Sequence, residues 1–130
     1  MPKLTAVQIA QIADNLVSIA RVVGDYIMEH QLSVKGKLGK LHVAILDEAS
    51  KLYHLSAFEV GKEVHTSVEE LSDLSSEIQE TLDTLTALKR MINVATVALT
   101  ISTALAAGDL KAFVNAIKVL KQQINPTEEE

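Results

Sequence analysis

Four histidines, His30, His42, His54 and His65, fall at intervals of twelve, twelve and eleven residues, and regularly spaced imidazoles suggest a metal site or a proton relay. Helical geometry argues against both. Twelve residues advance a helix about 120° beyond whole turns, and eleven bring two side chains to one face but about 16 Å apart, too far to share an ion. None of the four has Glu or Asp three positions before it, so the Glu-x-x-His of di-iron bundles is missing, as is His-Glu-x-x-His. Only His65 and Glu69 form an i, i+4 pair. The absence of cysteine removes thiolate metal sites, disulfides and Cys nucleophiles together. No serine sits in a strand-turn-helix elbow. No catalytic residue, metal ligand, cofactor or small-molecule substrate is therefore expected.

The charged residues suggest docking rather than catalysis. Glu69, Glu70, Asp73, Glu77, Glu80 and Asp83 recur along one acidic stretch. Glu70, Asp73, Glu77 and Glu80 form the candidate docking face, with a solvated helix face as the plain alternative. The stretch Ser33–Lys40 combines Gly36 and Gly39 with Lys35, Lys37 and Lys40. It is a weak phosphate loop, lacking the Gly-x-x-x-x-Gly-Lys-Ser/Thr form, and it could meet the acidic face of a neighbouring copy. Net charge is −5. The basic and acidic residues balance up to His65, and the whole deficit follows it. An acidic chain whose aromatics are only Tyr26, Tyr53, Phe58 and Phe113 offers neither the phosphate-neutralising surface nor the stacking platforms that nucleic-acid binding needs.

The elements that would position these groups are helical. Pro2 and Pro126 flank the body, and the apolar residues, 48% of the 130, are mostly Leu, Ile, Val and Ala. A first helix opens at Thr5, a capable N-cap, and runs to about Gln31 on the seam Ile9, Ile12, Leu16, Ile19, Val23 and Tyr26. A second follows the lysine turn through Leu38, Leu41, Ile45, Leu46, Ala49, Leu52 and Tyr53. Two endings are open for it: a stop near Leu55-Ser56, or continuation across Gly61 to Val64. A fifth short helix between Phe58 and Val64 is a further arrangement. Ser67-Val68-Glu69-Glu70 has capping-box form and predicts a third helix with the seam Leu71, Leu74, Ile78, Leu85, Leu88, Ile92 and Leu99. Unbroken to Ala107 it would be about 60 Å long, so a kink near Asn93 or a projecting end is required. Ala107-Gly108-Asp109 closes that helix and opens a last one, which stops at Asn125-Pro126.

No charge interrupts Met91 to Gly108. Such a run is either a central helix hidden on every side, Thr100 included, or an apolar element meant for a partner or bilayer. Ala98, Ser102 and Ala106, four apart, would let another backbone approach closely. The combined expectation is one all-α domain over 1–126, an antiparallel bundle of four long helices with coiled-coil-like seams, and an acidic disordered tail at 127–130. Its function is expected to be non-enzymatic assembly. Self-association would run through an apolar seam containing Leu71, Leu74, Ile78, Leu85, Ile92, Ala98, Ser102 and Ala106. A membrane-active protein inserting 91–108 is the alternative. Gln8, Gln11, Asp14 and Asn15 interrupt any secretory h-region, which makes a cytoplasmic location the default.

Overall fold

The protein is an all-α bundle, seen in a computed structural model that describes residues 3–83 and 86–124. These residues form helices α1 (Ala6–Glu29), α2 (Lys37–Leu52), α3 (Lys62–Thr81), α4 (Leu88–Ala106) and α5 (Leu110–Ile124). Two short strands, β1 (Lys3–Leu4) and β2 (Phe58–Glu59), pair antiparallel with Leu4 opposite Phe58. Around the bundle each helix packs on two neighbours in the closed order α1, α2, α4, α5, α3, and α1 also touches α4 across the centre.

Specific contacts fix the directions. His42 lies against Gly24 and the Tyr53 hydroxyl donates to Asp14, so α2 runs antiparallel to α1. The His65 ring meets the Lys3 carbonyl and Ser75 donates to that of Asn15, so α3 runs with α1. Arg90 at the start of α4 donates to the Gln123 and Ile124 carbonyls, at 3.2 and 3.0 Å, and so caps the end of α5. Those carbonyls have no partner within the helix, and a guanidinium there also meets the negative end of the helix dipole.

The helix ends follow from local chemistry. Thr5 and Gln8 complete the capping box of α1: the Thr5 hydroxyl accepts from the Gln8 backbone amide at 3.1 Å, and the Gln8 side-chain Oε1 from the Thr5 backbone amide at 2.9 Å. α1 and α4 close with the same pair of turn bonds, through Gln31 (φ +54°) and Gly108 (φ +75°) in the left-handed region. Asp109 then caps α5 by accepting from the Ala112 amide at 3.1 Å. Gly36 caps α2. A Cβ on Gly39 would stand only 2.2 Å from the Val34 carbonyl oxygen, so the lysine turn folds directly onto the first turn of α2.

Three boundaries differ from those expected. α2 stops at Leu52, and Phe58 enters a strand rather than a continued or fifth short helix. α3 starts at Gly61-Lys62, not at the Ser67 box. Ser67 is buried and continues the seam of Val64, Leu71, Leu74 and Ile78 backwards as a polar member. The expected long third helix is two helices, and the break lies between Thr81 and Leu88 rather than at Asn93. Leu82 turns to extended backbone and buries its side chain, Asp83 and Thr86 bond reciprocally, and Tyr26 donates to the Thr86 carbonyl at 2.7 Å. Folding back lets α1, α2 and α5 cover α4, which a 60 Å rod would have left bare. Leu85, the Asn125-Pro126 stop and the tail at 127–130 lie outside the described residues.

Candidate interaction surface

Most of the expected seam is consumed within one chain, while Leu88 at the start of α4 stays 43% exposed. Leu71, Leu74 and Ile78 are buried beneath α1 and α5, and Ala98 and Ser102 have no exposed surface. Ile92 and Ala106 are half-buried. Ser102 returns its hydroxyl proton to the Ala98 carbonyl at 3.1 Å, which satisfies it in the core. The charge-free run is not hidden all round. Thr96, Thr100 and Thr103 face solvent, and Thr96 and Thr100 donate to the Ile92 and Thr96 carbonyls. A charged residue is absent from that face without being sterically excluded from it. Among the described residues, the helix long and apolar enough to cross a membrane is α1, which is also a core helix of the bundle.

The acidic face is solvated at Asp73 and Glu80 and half-buried at Glu70 and Glu77. One member is met from within, Lys121 lying 3.5 Å from Glu70, and outside the face Lys118 lies 3.8 Å from Glu63. Both pairs are exposed enough to contribute at most about 1 kcal/mol each. The histidines go to separate places. His30 stacks on Tyr26, His42 wedges between α1 and α2, His54 is exposed beyond α2, and His65 meets the N-terminal strand. Among the described residues, no group of three or more His, Asp or Glu side chains could hold a metal ion.

The surface that needs explaining lies elsewhere. Met28, Val34 and Val43 are 77%, 72% and 53% exposed, and they line adjoining depressions where the end of α1, the lysine turn and the start of α2 meet. The first depression, about 400 Å³, has Ile27, Met28, Val34, His42 and Val43 on its walls, with Arg21 and Asp25 at its rim. The second, about 560 Å³, is lined by Val34, Lys35, Lys40, Val43, Ala44 and Asp47. Single exposed apolar residues are ordinary on any protein, but three contiguous ones with a charged rim have the anatomy of a contact surface. The sequence held one sign of it. Met28 and Val43 fall off the registers that bury Ile27 and Ile45, so their positions have no use in the intrachain core.

At the other end of the same helix pair the Tyr53 hydroxyl donates to Asp14 Oδ1 at 2.5 Å. That bond, reinforced by partial desolvation and the carboxylate charge, pushes the Tyr53 phenol from 10.0 up to about 12. It is a clasp between α1 and α2, and it holds the phenol protonated well above neutral pH. No protein-family model matches the chain, and no curated protein or solved structure is significantly similar to it.

Proposed function

We propose that the protein is a non-enzymatic helical interaction module that self-associates through the α1–α2 surface. The observation that carries this reading is the contiguous exposure of Met28, Val34 and Val43, the first two being the most exposed large apolar side chains among the described residues. A side chain of this size gains roughly 1.5–3 kcal/mol when fully removed from water, so burying the three offsets part of the cost of association. The acidic face of α3 has a lesser part. With Glu70 already beside Lys121, its remaining carboxylates act mainly to keep that side of the bundle solvated and free of association.

Light-scattering mass across a dilution series tests the reading. The wild type is expected to rise above the 14.1 kDa of one chain as concentration increases. Val34→Asp, a change on an exposed turn, should stay at one chain with an unaltered melting curve. A wild type that remains monomeric at every concentration would overturn the proposal. Flotation on liposomes, run beside it, is expected to leave the protein at the bottom of the gradient. Flotation of the wild type would favour the membrane-active alternative.

A further inference from the structure

Resting on that reading, we infer that the occupant of the α1–α2 surface is a second copy of this chain, docked about a two-fold axis that passes between Val43 and Ala44 of α2. Lys40, Val43, Ala44 and Asp47 stand at i, i+3, i+4 and i+7, one face of the helix, and they line one depression. Lys40 and Asp47 are exposed, separated by about 10 Å along the axis, with the apolar pair midway between them.

A face with a cation at one end, a carboxylate at the other and apolar groups at the centre is complementary to itself when turned by 180°. Lys40 of one protomer then meets Asp47 of the other, and the reverse pair forms at the same time, as an isologous contact requires. Ala44 is small enough for the two helices to approach closely at the axis, and Val43 of each protomer packs beside Ala44 of its partner. Val34 lines the same depression, and with Met28 it extends the apolar area into the adjoining one. A uniformly acidic or basic partner would match one end of this face and repel the other.

Charge exchange tests the geometry, because each substitution acts twice across the axis. Lys40→Glu and Asp47→Lys should each weaken self-association by about tenfold or more in dissociation constant, since each replaces two attractions with two repulsions. The double variant Lys40→Glu/Asp47→Lys should return to the wild-type value. Melting curves of all three should match the wild type, because both positions are solvent-exposed. A covalent test is independent of affinity. The chain has no cysteine, so Ala44→Cys is expected to give a disulfide-linked pair of chains under mild oxidation, whereas Val119→Cys, exposed on α5, should give none. A wild type that self-associates while the double variant fails to recover, or while the Ala44→Cys variant does not cross-link, would overturn the two-fold geometry and leave the module reading intact. A wild type that never self-associates would overturn both.

Discussion

The α3–α4 seam and the α1–α2 surface contrast in what their apolar residues accomplish. Along α3 and α4, Leu71, Leu74, Ile78, Ala98 and Ser102 follow a three-and-four spacing and are buried by the chain's own helices. At the α1–α2 end, Met28, Val34 and Val43 obey no such spacing and remain exposed. Periodicity reports that a face will be covered, and the covering element here is the same chain folded back through 82–87. Met28, Val34 and Val43 stand out of register and are left over after folding, as groups available to a partner.

The comparison breaks most readily at the seam. Leu71→Ala removes a fully buried side chain from a three-helix contact and should cost about 2–5 kcal/mol, read as a fall in denaturation midpoint with unchanged slope. If the seam were an interface between chains rather than core, the variant would lose mass in light scattering with little change in the melting of the diluted protein. Ala98→Leu comes next. Ala98 has no exposed surface on a helix in contact with α1, α2 and α5, and the added volume should cost about 1–3 kcal/mol in the same assay.

On the other side of the contrast, Tyr53→Phe deletes the clasp to Asp14 and should cost about 0.5–1.5 kcal/mol. The folded phenol titrates near 12 and the free one near 10.0. Its stabilisation is therefore complete below pH 10 and lost as pH rises through about 12. The Tyr53→Phe variant should lack that alkaline component of the melting profile, and an identical profile would remove the clasp from the account. The smallest effect belongs to Thr100→Lys. Thr100 faces solvent in the middle of the charge-free run, so a lysine there should change stability by less than about 0.5 kcal/mol. A collapsed melting curve would mean that this face is covered after all.

Much of this was legible in the residues. The Thr5 cap, the break at Ala107-Gly108-Asp109 and the seams of the first two helices rest on local rules, and the structure keeps them, except that Tyr53 lies past the end of α2 and is 46% exposed. The division of the third helix was not legible, because no proline or glycine stands between Thr81 and Leu88. The turn there is made by tertiary contacts, Leu82 entering the core and Tyr26 holding the Thr86 carbonyl. The start of α3 was concealed by Ser67, a polar residue in a buried register that resembles a cap when seen alone. The small β1–β2 pair was hidden for a similar reason, since two residues carry no alternation and their pairing spans most of the first half of the chain. As for the proposed interaction surface, Lys35, Lys37 and Lys40 drew attention to the turn that carries the exposed Val34, and one member of the acidic face expected to meet them, Glu70, lies beside Lys121 of α5. Val34 and Val43, which flank those lysines in the sequence, supply the exposed apolar surface there.

Hydroxyl-radical footprinting over a dilution series, read by mass spectrometry, tests the central claim most directly, because it reports side-chain exposure residue by residue. Leu71, Leu74 and Ile78 should be shielded at every concentration, while Met28, Val34 and Val43 should be labelled in dilute protein and become shielded as concentration rises. Labelling of Leu71, Leu74 and Ile78 in dilute protein that disappears on concentration, with Met28 unchanged throughout, would show the α3–α4 seam to be the interface and contradict the account.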